Sequence, residues 1–226
     1  MDYLLDFGDV IARGEKENLQ KTYKEFEYTY YIIITIVYSV TAIMIMPFIN
    51  IYTKGINDAN YNQVLLGILF TINGLLFNLK TPQGMLVISA GLYKETRIQN
   101  LIQALIIVVG GVILAPSLGL AGILIASCLS NLYRDVDLAF FIPKHITNLP
   151  PRKSIIRMII VVLLSIILCI PFIIGINIES DGYLMWMIQA LIITTYATII
   201  IVVINYLIDK EQFKIVLERI KRLVKR

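Results

Sequence analysis

Gly119 to His145 reads GLAGILIASCLSNLYRDVDLAFFIPKH, and the fold class turns on whether this stretch crosses a membrane. Its apolar run from Ala121 to Ile142 has the length of a spanning helix, about 17 to 25 residues. Yet it carries Arg134, Asp135 and Asp137. An ionised side chain at mid-membrane costs about 2.5 to 3.5 kcal/mol on insertion scales, so such groups face a partner, the protein interior or water. Ser127, Ser130, Asn131, Arg134 and Asp137 recur at i, i+3, i+4, i+7 and i+10, which puts them on one side of a helix. Gly122, Ala126 and Ser130, four residues apart, lie partly on that side and let a neighbouring helix come close. The spacing predicts a spanning helix with one polar stripe. A second use of the charges is local: Arg134 lies about 20 Å along the helix from Ala121, near enough to one membrane surface to snorkel there or to pair with Asp135 or Asp137.

The remaining chain agrees with a membrane setting. Of 226 residues, 58% are hydrophobic and 16% charged, against about 25% charged in soluble domains, and the mean hydropathy is +0.76. Six apolar runs approach or reach spanning length: 28–52, 61–79, 98–116, 121–142, 155–176 and 183–208. One soluble domain of this size has no means of burying six such helices. If both termini are cytoplasmic, nineteen of the twenty Lys and Arg residues fall on the inner side and only Lys54 falls outside, as the positive-inside bias requires. The expected fold is therefore an all-α membrane protein with six transmembrane helices and both termini cytoplasmic. The net charge of +4 then means attraction to anionic lipid headgroups and gives no reason to invoke nucleic acid.

Outside the spans, 1–27 is expected to be a cytoplasmic connector, with Leu19, Tyr23 and Phe26 at helical spacing for an amphipathic helix on the membrane face. Residues 209–226 form a basic amphipathic tail on anionic lipid, with Phe213, Val216, Leu217, Ile220, Leu223 and Val224 at helical spacing. Pro47 predicts a bend near the outer end of the first span. In the second, Gly67, Thr71, Gly74, Asn78 and Thr81 make another small and polar stripe, suited to helix packing or to lining a passage. The moderately apolar Gly84 to Tyr93 can continue that span past Pro82 as a kinked segment, which places Lys80 inside the bilayer zone. Ser117 to Leu120 is a turn short enough to force the third and fourth spans into an antiparallel pair. The fifth span is nearly all Ile, Leu and Val and is expected to face lipid. No apolar signal segment precedes the first span, so insertion is expected to use the spans themselves.

Chemical motifs are missing. Cys128 and Cys169 sit in apolar runs, and the single His145 has no second imidazole, so neither a disulfide framework nor a metal site is expected. No nucleophile elbow, phosphate loop or dinucleotide fingerprint occurs, and no cofactor is implied. The reading is a non-enzyme. Polar stripes in an otherwise apolar bundle point toward transport, because polar groups at membrane depth face protein or a water-filled cavity.

Four strings carry a resemblance: ARGEKENLQKTYKEFE (12–27), PFINIYTKGINDANY (47–61), NLKTPQGMLVISAGLYKETR (78–97) and ASCLSNLYRDVDLAFFIPKHI (126–146). Their order and spacing resemble the polysaccharide flippases of the multidrug/oligosaccharidyl-lipid/polysaccharide exporter superfamily, over about Gly8 to Pro150. The resemblance implies two helical bundles around a central cavity in the bacterial cytoplasmic membrane. It implies movement of an undecaprenyl-diphosphate-linked oligosaccharide between leaflets for O-antigen or capsule synthesis. It further implies that the six spans correspond to the ninth to fourteenth of such a flippase, and that the preceding spans are supplied by a longer polypeptide or by a partner chain. On this reading Lys80 and Arg134, with Arg97 behind them, attract the lipid diphosphate. Asp135 and Asp137 tune the arginine or couple to a cation gradient, and Asn78, Asn131 and Gln103 hydrogen-bond sugar hydroxyls. Two other readings stay open: a fragment of a small-solute or drug antiporter, and a non-transporting membrane subunit of a polysaccharide assembly complex.

Overall fold

The computed structural model describes residues 3–174 and 178–224. The end of the fifth expected span at Ile176 and the tail residues Lys225 and Arg226 lie outside the described residues. Among those described, regular structure is entirely helical: α1 (Tyr3–Ala12), α2 (Lys16–Tyr52), α3 (Val64–Leu79), α4 (Thr81–Ser89), α5 (Arg97–Leu118), α6 (Leu120–Ile142), α7 (Pro151–Ile174), α8 (Tyr183–Ile208) and α9 (Lys210–Val224), with a five-residue π-turn at Pro143–Thr147 after α6. Among the described residues five helices are long and apolar enough to cross a membrane: Lys16–Tyr52, Val64–Ser89, Arg97–Leu118, Pro151–Ile174 and Tyr183–Ile208. Helix α6 has 23 residues, which is length enough, but Arg134, Asp135 and Asp137 set it apart from the five.

Helix α2 is the spine. It runs 37 residues without interruption, about 55 Å at the usual rise and well beyond a hydrocarbon core of about 30 Å. The sequence suggested an interfacial helix that turns into the membrane near Glu27. In the structure the two are one rod, because no glycine or proline lies between Lys16 and Met46 to stop it. The real break comes earlier, at Gly14 with φ +70° between α1 and α2. Helices α3, α7 and α8 all lean on α2, α6 leans on α3, and α5 leans on α6.

The second apolar run continues past Lys80 as the sequence allowed. Lys80 is the single residue between α3 and α4, and its N–H bonds to the Asn78 carbonyl. Pro82 follows in the first turn of α4, where a missing N–H is tolerated. The turn between α5 and α6 is tighter than the four residues expected: Gly119 alone joins them, at φ +57° and ψ −135°, a conformation that glycine adopts without strain. Helix α7 turns Ile156, Ile159, Leu163, Ile166 and Ile167 outward, in keeping with its reading as a lipid-facing rod, and adds one buried stripe. Met158, Val161, Leu164 and Leu168 are buried, and α7 packs on α2 through that stripe.

Small residues set the close approaches. A Cβ on Gly122 would stand 2.5 Å from the Leu114 carbonyl oxygen, and one on Gly110 would stand 2.9 Å from the Ala126 Cβ. Gly122 and Ala126 are thus the seam between α6 and α5. The stripe on α3 serves α2 instead: a Cβ on Gly74 would meet the Tyr38 ring at 2.6 Å. Gly122→Ala is expected to destabilise the protein by about 1 to 3 kcal/mol through overpacking against backbone. Gly111→Ala, which meets nothing within 4 Å, should be neutral or mildly stabilising. Thermal unfolding of the two variants in the same detergent checks the contrast.

Candidate functional site

Two polar networks run between the helices, one near mid-bundle and one at the end that holds the N-terminal part of α2, α4 and the start of α7. The first joins α3, α5 and α6. The Asn73 side-chain oxygen accepts hydrogen bonds from Ser127 Oγ at 2.7 Å and from Asn131 Nδ2 at 2.9 Å. The Asn131 side-chain oxygen accepts in turn from Lys80 Nζ and from Gln103 Nε2 at 3.4 Å. Ser130 donates to the Gln103 backbone carbonyl at 2.8 Å. A buried amide or hydroxyl without a partner costs several kcal/mol in an apolar setting, so these groups select one another as the helices dock.

Of the residues singled out from sequence, Lys80, Asn131 and Gln103 are brought together. Lys80 Nζ also stands 4.8 Å from the centre of the Phe77 ring. No carboxylate among the described residues comes within ion-pairing distance of it. Arg134 pairs locally with Asp137, at 2.5 Å and one turn along α6, which is the local arrangement that the sequence allowed. Asp135 is 3% exposed, and neither of its oxygens has a hydrogen-bond partner among the described residues.

Asn78 and Arg97 lie apart from this network. Asn78 turns toward α2, donating to the Tyr38 hydroxyl at 2.7 Å and to the Gly74 carbonyl at 2.9 Å, and accepting from the Tyr30 hydroxyl at 2.8 Å. Arg97 is exposed at the start of α5. The amide that does bridge α3 to α6 is Asn73. It was legible as a signal, since Asn73, Phe77 and Lys80 fall at i, i+4 and i+7, but it sits one residue off the more conspicuous glycine stripe.

The second network centres on Glu27, 2% exposed. One carboxylate oxygen accepts from the Tyr23 hydroxyl at 2.8 Å, Ser154 at 2.8 Å and Gln83 at 3.4 Å, and the other accepts from Arg157 at 2.9 Å. Arg157 reaches Asp209 at 3.4 Å. Gln83 also donates to the Tyr31 hydroxyl at 3.0 Å, which donates to the Leu79 carbonyl at 3.0 Å. Beside it, Arg219 of α9 pairs with the buried Glu25 at 2.6 Å. The sequence reading counted Arg157 only as an inner-side cation and placed Glu27 at the end of a connector. Nothing in the local pattern links two residues 130 positions apart.

Comparison with protein-family models, with curated proteins and with solved structures finds no match. The arrangement itself shows a polar seam through an apolar bundle, with a fully paired carboxylate hub at one end and a lysine held by a neutral amide further in.

Removing the Glu27 carboxylate leaves Arg157 partly buried and deprives the Tyr23, Ser154 and Gln83 donors of their acceptor. Glu27→Ala is expected to cost about 3 to 5 kcal/mol, the range for removing one partner of a buried pair. The double variant Glu27→Ala/Arg157→Ala should be less destabilised than the sum of the singles by about 0.5 to 3 kcal/mol. A double-mutant cycle read from detergent unfolding measures this coupling.

Proposed function

We propose that this chain is part of a flippase that moves an undecaprenyl-diphosphate-linked oligosaccharide across the bacterial cytoplasmic membrane during cell-surface polysaccharide synthesis. The observation that carries the reading is Lys80. It is a cation at a helix break inside an apolar bundle, with an amide oxygen and an aromatic face as its contacts and donor capacity to spare, since an ammonium offers three hydrogens. A diphosphate supplies acceptors of the right charge, and charge-assisted hydrogen bonds are about twice as strong as neutral ones. Asn131, Gln103 and Asn73 beside it offer amides suited to sugar hydroxyls. The resemblance of the four strings quoted above supports the same class.

In this reading α6 is the sixth crossing helix, both termini are cytoplasmic, and Arg134 with Asp137 lines the inner mouth. The clustering of Lys16, Lys24, Arg157 and Lys210 at one end of the bundle, with Lys54 in the loop at the other, supports that orientation. A drug antiporter of the same superfamily fits less well, because a cationic solute calls for an excess of carboxylates, whereas here Asp137 is neutralised by Arg134 and the buried Asp135 is matched by Lys80 in number. A non-transporting assembly subunit is favoured by one observation: Asn73, Ser127 and Asn131 satisfy one another without a ligand.

Binding of a purified polyprenyl-diphosphate sugar to the detergent-solubilised chain distinguishes these. Lys80→Gln, whose amide can still donate to Asn131, is expected to weaken it by about tenfold or more, the value of one hydrogen bond to a charged group, with Arg97→Gln nearly silent and retained folding of both variants checked by thermal unfolding. Absence of binding in the parent chain, or equal binding by Lys80→Gln, would remove the flippase reading and favour the assembly subunit. For orientation, single cysteines placed between Lys144 and Lys153 should resist membrane-impermeant maleimides in intact cells, whereas one at Lys54 should react.

A further inference from the structure

A cavity of about 400 Å³ opens between α2, α7, α8 and α9 beside the Glu27 hub. It is long: its lining runs from Lys24 to Thr35 along α2 and from Lys153 to Leu164 along α7, in each case a stretch of about 16 Å. The inner part is walled by Ile160, Val161 and Leu164, and the outer part by Lys24, Lys153 and Glu211. Such a gradient from apolar wall to charged mouth matches one amphiphile lying along the helices with its headgroup at the membrane surface.

The charges define the headgroup. Arg157, Glu27 and Asp209 also face the cavity, but they are committed to one another at 2.9 and 3.4 Å. Lys24, Lys153 and Glu211 line the cavity, and none of the three takes part in an ion pair among the described residues. We infer that this cavity binds a phospholipid of the adjoining leaflet with a phosphoethanolamine headgroup, its phosphate between Lys24 and Lys153 and its ammonium toward Glu211. A phosphoglycerol headgroup leaves Glu211 facing added negative charge, and a phosphocholine cannot donate a hydrogen bond to it. Basic pockets at the ends of membrane helices recognise lipid phosphates in this way. Helix α9 roofs the site, fastened to α2 through Arg219 and Glu25 at 2.6 Å. The inference needs only that the bundle sits in a bilayer and is independent of the flippase reading.

The test is native mass spectrometry of the full chain, delipidated and then titrated with phosphatidylethanolamine, phosphatidylglycerol or phosphatidylcholine. One phosphatidylethanolamine per chain should be retained in preference to the other two. The variant Lys24→Gln/Lys153→Gln should bind it roughly tenfold or more weakly, given about 1 kcal/mol for each cation near a lipid phosphate. Glu211→Gln should erase the preference over phosphatidylcholine while keeping the binding. Soluble glycerophosphoethanolamine should compete poorly, because it lacks chains for the apolar wall. No stoichiometric lipid, equal retention by the double lysine variant, or tighter binding of phosphatidylglycerol would each overturn the assignment. Because both lysines lack ion-pair partners, unfolding curves of the double variant should match the parent and keep a loss of lipid interpretable.

Discussion

The bundle depends on polar groups in an apolar interior finding partners, and Glu27 is where that requirement is met most densely, whereas the buried Asp135 carboxylate stands as an exception. Its carboxylate is wrapped by donors from α2, α4 and α7. Arg157 carries the connection on to Asp209, the residue between α8 and α9. Apolar side chains do not choose among these helices, since lipid tails are as apolar as leucine. The specificity comes from hydroxyls, amides and one carboxylate that have nowhere else to go. Close-packed small residues then fix the spacing that the polar contacts have selected.

The same constraint accounts for the interrupted second apolar run. Where α3 stops at Leu79, the Leu79 carbonyl is taken by the Tyr31 hydroxyl, and Lys80 swings its ammonium onto Asn131. The break therefore joins the hub on α2 to the amide seam between α3 and α6. A polar line runs from Asp209 through Arg157, Glu27, Gln83 and Tyr31 to the break, and resumes at Lys80 toward Asn131, Asn73 and Gln103. Lys80 stands where the line changes from charge-paired to neutral.

Apolar length is the property that sequence displays most openly, and the helices follow it. Helix α8 covers Tyr183–Ile208 as its hydropathy indicated, and α5 and α6 depart from the readings by no more than two residues at either end. The polar side chains on α6 were equally legible, because Ser130, Asn131 and Arg134 repeat at helical spacing and all three are buried. Pairing was not legible. Asn78 belongs to a stripe that sequence could assign to packing or to a passage, and the structure spends it on Tyr30 and Tyr38. Asn73, one residue away from that stripe, faces α6 instead. Glu27 and Arg157 meet only because α2 runs straight past the expected turn and α7 packs along it, and helix continuity is decided by the absence of a breaker rather than by any motif.

Helix α5 has no buried residue and rests on α6 through the seam at Gly110, Gly122 and Ala126, joined to it by Gly119 alone. This has a bearing on biogenesis. Taken by itself, α6 carries three ionisable groups, of which Arg134 and Asp137 pair with each other and Asp135 depends on the surrounding helices for burial. Entering as a hairpin, it brings Gln103 with it, and it arrives after α3 has already been synthesised with Lys80 and Asn73 in place. Chain order thus has Asn73 and Gln103 made before Ser127, Ser130 and Asn131 need them, Arg134 and Asp137 answer each other within α6, and the tight glycine elbow keeps the two rods together.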